Sequence, residues 1–299
     1  MNMKHEQFTT TSRSLREDSL PYRLFQKAKK FGIWDPKDID FRQDVLDWTT
    51  LTESQRIGTL GLLSQFQAGE EAVTLDLLPL VMTIAREGRL EEEMYLTTFL
   101  FEEAKHTEFF RIVLNVLGVN EDISKYHVPT YRKIFYEILP ETMNRLLIDH
   151  TPEALADASV LYNMFVEGVL AETGYWSFYQ GLNKMGKMPG LMKGIGYLKK
   201  DESRHIGYGT FLLQRLICEH PHLFDRIANR MQELAPMALS INREIGESNG
   251  KSPFDIPPEA SLQFSMTQVQ IRMDILKRAI GKSIDEIYRT PEEVVGVID

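Results

Sequence analysis

Two residue pairs in this sequence have the types and spacing to bind metal. Glu103 and His106 lie three positions apart, as do Glu202 and His205. On an α-helix such residues share a face, so a carboxylate and an imidazole can reach one ion. A single pair of this kind is ordinary on a wet helix surface. Here each pair follows an acid set in apolar sequence. Glu70 lies between Phe66 and Val73, and Glu167 lies within Tyr162-Asn163-Met164-Phe165-Val166-Glu167-Gly168-Val169-Leu170. Glu103 follows Glu70 by 33 residues, and Glu202 follows Glu167 by 35. A carboxylate in such a segment is expensive to bury ionised unless it is paired or bound to metal. The repeated order, Glu then Glu-x-x-His, predicts a dinuclear site of four carboxylates and two imidazoles.

The neighbouring acids and histidines receive other readings. Glu71 competes with Glu70 as a ligand, but Glu70 shares a helical stripe with Phe66, Val73, Thr74 and Leu77. Glu102 and Glu108 are expected in water or behind the ligands, and Glu172 and Asp201 in water or ion pairs. His127, His150, His220 and His222 lack an acid at ligand spacing and are expected on surfaces or loops. A carboxylate-rich set with one imidazole per metal suits iron or manganese, and no thiolate favours zinc or copper. Ligand types alone do not separate the two metals.

The elements that position these residues read as long helices. Thr52-Glu53-Ser54-Gln55 is a capping box opening a helix to about Gly88. Further helices are expected over about 90–118, 129–147 with a kink or split at Pro140, 151–182, 189–220, 221–247 and 259–280. Asn249 to Pro258 reads as a loop. Period-two alternation is nearly absent, so the fold class is all-α. One glutamate from each of two helices and a Glu-x-x-His from each of two others is the ligand arrangement of ferritin-like dinuclear proteins. The expectation is a ferritin-like four-helix bundle core over 52–219 with additional helices and a tail over 220–299. These form one domain of about eight helices spanning 1–299.

Composition narrows the class. The 299 residues carry a formal charge of −9, with 43% hydrophobic residues. A broad basic face for nucleic acid is not expected. Cys218 is the only cysteine, which suits a reducing cytoplasm and a structural role. The first 20 residues are polar, unlike a secretory signal, and are expected to extend over the surface or fray. No window of about 18 uncharged apolar residues occurs, so no membrane span is expected.

At the motif residues the sequence resembles the ribonucleotide reductase small-subunit superfamily, over roughly Thr52 to Glu219. Within it the resemblance is strongest to the ligand-binding oxidase branch, which carries a heterodinuclear manganese/iron cofactor. That resemblance implies Glu70, Glu103 and His106 at the manganese site and Glu167, Glu202 and His205 at the iron site. Radical-bearing reductase subunits usually place a tyrosine four residues after the first ligand histidine, where this protein has Phe110, although some manganese/iron reductases also have phenylalanine there. The tail Glu-Glu-Val-Val-Gly-Val-Ile-Asp also lacks a radical-transfer tyrosine. Val73 and Tyr162 match a valine and a tyrosine that the branch joins by an ether when the metals activate O₂. In a regular α-helix Tyr162 would lie about 140° around from Glu167, at the border of the metal-facing stripe. The resemblance further implies a bound long-chain fatty acid whose carboxylate bridges the metals, and a homodimer. Gly69, Gly168, Ala171 and Gly174 flank the ligand acids and could leave room for the lipid or permit close helix packing. The expected function is an O₂-activating oxidoreductase. Di-iron loading, a manganese/iron reductase small subunit and a ferritin-like iron store are the alternatives.

Overall fold

Capping chemistry places the long helices. The computed structural model describes residues 7–249 and 253–298. Its helices are α1 (Leu20–Phe31), α2 (Arg42–Thr50), α3 (Glu53–Arg86), α4 (Leu90–Val116), α5 (129–145), α6 (Pro152–Asn183), α7 (Pro189–Glu219), α8 (Leu223–Asn249), α9 (Pro258–Lys277) and α10 (Ile284–Tyr288). No strand occurs among the described residues. The Thr52–Gln55 capping box forms in both directions. Thr151 caps α6 through Ala154 N, with Pro152 at the first position. Gly88 and Gly118 stop α3 and α4 at φ 70° and 73°, where a side chain would be strained.

Helices α3, α4, α6 and α7 form the bundle. Helix α6 is also packed by α8 and α9, which cover the bundle's far side. This helix is long and apolar enough to pass for a membrane span, but 83% of its most apolar window is buried inside the fold, as in the core helix of a bundle. Its backbone is not a regular α-helix. Residues Val160–Ala171 and Tyr179–Asn183 are π-helical, with bonds such as Glu172 N–H to the Glu167 carbonyl. Pro140 stands just after a third such stretch, Lys133–Ile138, so the expected break in α5 is a change of helical register.

The first 50 residues depart most from expectation. Residues 1–6 lie outside the described part, but Arg13 pairs with Glu91 at 2.7 Å, and Ser19 and Leu20 are buried. Helix α1 packs on α4 and α7. Helix α2 supplies the missing cap of α7. Asp44 accepts from Gly190 N and Leu191 N at 2.8 and 2.7 Å, and Asp47 accepts from Met188 N at 2.8 Å. Local sequence does not reveal these two amphipathic segments, because their partners lie far away along it.

Among buried acids outside the bundle centre, Asp76 on α3 has its pKa raised from 3.8 to about 6 by burial alone. The folded state therefore holds a proton that the unfolded protein releases near pH 4. Stability falls as pH rises from about 4 to about 6, and the full penalty is present above that. Asp76→Asn is expected to stabilise the protein by about 1–3 kcal/mol above pH 6 and by little below pH 4. Urea unfolding across that range checks this; a constant difference at all pH values would refute it.

Candidate metal centre

The bundle brings all six predicted ligands together. Donor atoms of Glu70, Glu103, His106 and Glu202 lie within 4.8 Å of one another, and so do those of Glu103, Glu167, Glu202 and His205. Glu103 and Glu202 belong to both groups, the placement of carboxylates that bridge two metals. The resemblance assigned each to one metal only, and helical spacing cannot show a neighbour across the bundle. All six residues are buried, whereas Glu71 is exposed.

Both imidazoles turn Nδ1 inward. His106 Nδ1 lies 3.5 Å from Glu70 and Glu202, and His205 Nδ1 lies 2.9 Å from Glu103. Their Nε2 atoms face Asp201 at 3.2 Å and Glu102 at 2.9 Å. The pairing is reciprocal: the acid preceding each Glu-x-x-His holds the histidine of the other. Such an outer carboxylate fixes the tautomer and strengthens the inner nitrogen as a ligand. Glu102 is thus buried behind the ligands, while Glu108 makes an outer ion pair with Lys37 at 3.2 Å. Asp201 is paired, not solvated; it also accepts from Trp34 Nε1 at 2.8 Å and faces Lys105 Nζ at 2.9 Å. Arg204 Nη2 donates to Glu102 at 2.6 Å. The sequence signal for this shell was the acid doublet, Glu102-Glu103 and Asp201-Glu202. Nothing local marked Trp34 or Arg204.

The donor set fits cations. Glu103 Oε1 and Oε2, Glu167 Oε1, Glu202 Oε2 and both inner Nδ1 atoms are buried without a hydrogen-bond partner. Buried polar atoms are normally satisfied, so six orphans converging on one point mark a place for metal. The proton affinities agree. Burial, helped by Glu103 and Glu202 and opposed by His106, raises Glu70 to about 8. Burial and the Glu202 carboxylate push Glu167 well up. Burial also works on Glu202, but the adjacent imidazoles of His106 and His205 outweigh it and hold this group at about 2. Both histidines rise well above their ordinary value because neighbouring carboxylates overcome burial. Protons thus stand where cations would neutralise the acids.

The π-helical stretch changes the geometry around Glu167. Residues five apart are successive in this register. Tyr162 therefore sits one turn before Glu167, and not 140° around the helix. Asn163 Nδ2 donates to Glu167 Oε2 at 3.1 Å, and Ser159 fixes that amide from behind at 3.0 Å. Tyr175 Oη donates to Glu202 at 3.3 Å.

The remaining histidines are mixed. His127 lies in a loop, one of the two expected settings, but is buried there, with Nε2 at 3.1 Å from the Ser64 carbonyl. His150 and His222 are exposed, contacting Arg86 and Glu153 respectively. Glu172 lies 3.7 Å from Lys199. Cys218 Sγ contacts the Lys282 carbonyl at 3.0 Å, away from the centre.

The sequence profile of the ribonucleotide reductase small-chain family matches residues 23–256. The chain belongs to this family. It is also similar to solved structures of an R2-like ligand-binding oxidase. One, with an aerobically reconstituted Mn/Fe cofactor after a long soak, is 39% identical. The match covers 91% of this protein and 97% of that one, with a TM-score of 0.87. Another, after photoconversion, is also 39% identical, with coverage of 91% and 98% and a TM-score of 0.87. A tyrosine-to-phenylalanine mutant with the Mn/Fe cofactor matches with a TM-score of 0.88 at 39% identity over 91% and 98%. The resemblance to the oxidase branch and the all-α, ferritin-like class are thereby borne out.

Glu103→Ala removes a donor shared by both groups and is expected to lower the content of both metals, whereas Glu71→Ala should leave it unchanged. Metal analysis after reconstitution checks this; full occupancy in Glu103→Ala would refute the bridging role.

Proposed function

We propose that this protein is an O₂-dependent oxidoreductase with a manganese/iron pair, that it binds a long-chain fatty acid at the pair, and that it joins Val73 to Tyr162 by an ether. The observation that carries the reading is an apolar pocket with about 800 Å³ of empty space, counting the part that opens to solvent. It begins at Glu70, Glu103, Glu167 and Glu202 and runs outward along Val73, Phe135, Leu170, Ile241 and Ile245. A fatty acid fits this polarity: its carboxylate belongs at the metal end, and each buried methylene contributes about 0.8 kcal/mol. The small residues divide between the two roles the sequence left open. Gly69 and Ala171 line the cavity; a side chain on Gly168 would meet Arg272 at 3.0 Å. Gly174 serves both, lining the cavity and admitting the Phe66 ring, which a Cβ would meet at 2.5 Å.

When bound, two redox metals in this donor set supply two-electron oxidation driven by O₂. The protein decides what stands nearby to be oxidised. Tyr162 Oη donates to the Val73 carbonyl at 3.0 Å, so the phenol oxygen is held against that residue, and both side chains are buried. Ether formation breaks the Tyr162 O–H bond and one aliphatic C–H bond of Val73 and makes one C–O bond. Two protons and two electrons leave, and the electrons end on O₂. Phe99 packs edge-on against Tyr162 at 6.0 Å and stacks on His205 at 3.7 Å, keeping water from that side. Phe110 is buried against Phe66 and offers no hydroxyl for a radical, which supports an oxidase over a tyrosyl-radical reductase subunit.

A homodimer is supported by apolar side chains on the outer face of α3 and α4. Leu75 and Phe101 are 67% and 59% exposed, with Leu78 and Met82 on the same stripe of α3. Such a patch marks a contact surface. Leu75→Asp combined with Leu78→Asp is expected to give monomers by light scattering; dimers of undiminished stability would exclude this face.

Metal-free protein should yield separate peptides containing Val73 and Tyr162. Reconstitution with manganese, iron and O₂ should join them with loss of two hydrogens. Denaturation of the purified protein should release about one fatty acid per protein molecule. Tyr162→Phe should keep metal and lipid but not the link. Unlinked peptides from protein holding both metals would refute the ether, and lipid-free preparations would refute the ligand.

A further inference from the structure

A row of aromatic rings leaves the metal centre outside the cavity. Phe99 stacks on His205, with ring centroids 3.7 Å apart. Tyr95 lies one turn earlier on α4, 6.0 Å from Phe99 and 5.2 Å from Tyr208 of α7. Tyr208 is 6.2 Å from Phe211, which is 5.2 Å from Tyr288 of α10. Phe99, Tyr95, Tyr208 and Phe211 are fully buried, and Tyr288 is half-buried at the surface.

Two features distinguish this row from ordinary core packing. Glu92 serves two phenols at once: Tyr208 Oη donates to its Oε2 at 3.1 Å and Tyr288 Oη to its Oε1 at 3.2 Å. Arg89 donates to Tyr288 Oη at 2.8 Å, which leaves that oxygen's own proton directed at Glu92. The Tyr95 hydroxyl, by contrast, is buried with no protein hydrogen-bond partner. A phenylalanine there would fill nearly the same space without desolvating a hydroxyl, which costs about 1–3 kcal/mol. Phenols lose one electron far more readily than benzene rings, and most readily when a base takes the proton. Electron tunnelling weakens steeply with distance, so short hops between such rings outrun one long transfer.

We propose that Tyr95, Tyr208 and Tyr288 form a proton-coupled electron relay between the metal centre and the surface at α10, with Glu92 as its base. The relay rests on the reading of the centre as a redox site. Tyr208 gives an electron inward through Tyr95 and Phe99 to the oxidised centre and its proton to Glu92 Oε2. Tyr288 then reduces the Tyr208 radical, its proton passing to Glu92 Oε1 while Oε2 returns one to Tyr208. A small one-electron reductant of the enediol class, such as ascorbate, reduces the Tyr288 radical, which recovers its proton from Glu92. One electron has moved from donor to centre, and every residue of the relay is restored.

The test uses holoprotein oxidised by O₂, mixed anaerobically with ascorbate, following the loss of the oxidised centre's absorption. Tyr288→Phe and Tyr208→Phe are each expected to slow this reduction by about tenfold or more at unchanged metal content and thermal midpoint. Glu92→Gln keeps both rings, removes the base, and should slow it comparably. If the buried variants fail to fold, Tyr288→Phe decides alone. Reduction of fully metallated Tyr288→Phe within about twofold of the wild-type rate overturns the relay. Protein that holds no metal, or whose metals O₂ does not oxidise, overturns the parent reading and the relay with it.

Discussion

Four carboxylates buried around one point govern the rest of this structure. In an apolar bundle their mutual repulsion and lost hydration would be prohibitive without compensation. Compensation is arranged in rings. Two imidazoles point inward among the acids, two outer acids hold those imidazoles, and Arg204 and Lys105 meet the outer acids. The innermost oxygens and nitrogens are left to cations. The apolar core divides around this polar centre, with Val73, Phe99 and Tyr162 in one cluster and Phe66, Phe110 and Tyr175 in the other.

The π-helical stretch of α6 is a second consequence of serving the centre. Its wider turn brings Tyr162 and Glu167 onto one face and leaves the backbone needing outside partners. Arg272 of α9 supplies one by donating to the Gly168 carbonyl at 3.3 Å. Helices α8 and α9, which stand outside the four-helix core, thus support an irregular ligand-bearing segment, and α8 also walls the cavity. π-helical turns of this kind occur frequently at functional sites, where a regular helix would point a side chain elsewhere.

Helices α1 and α2 close the opposite side. Trp34, just after α1, stacks on His106 with ring centroids 6.3 Å apart and donates to Asp201. Asp44 and Asp47 of α2 hold the start of α7, the helix that carries Glu202 and His205. The N-terminal region therefore fixes both the orientation of a ligand histidine and the position of a ligand helix.

What could be read from the sequence was what depends on near neighbours. Glu-x-x-His spacing, the acids in apolar runs, the capping box and the glycine stops act within a turn or two of helix, so the six side chains that converge in the bundle, the all-α class and most helix boundaries were legible. What depends on contacts across the bundle was not. The sharing of Glu103 and Glu202, the crossed pairing of Glu102 with His205 and of Asp201 with His106, the buried place of His127 and the Glu92-linked tyrosines all join residues far apart in sequence. The π register of α6 also escaped, because the bonds i→i−4 and i→i−5 differ little in local preference and packing against α7, α8 and α9 selects between them. Residue types and short spacings determined which atoms could bind metal; only the tertiary structure decided which of them face one another, since that is settled by how the helices close around a charge they must neutralise.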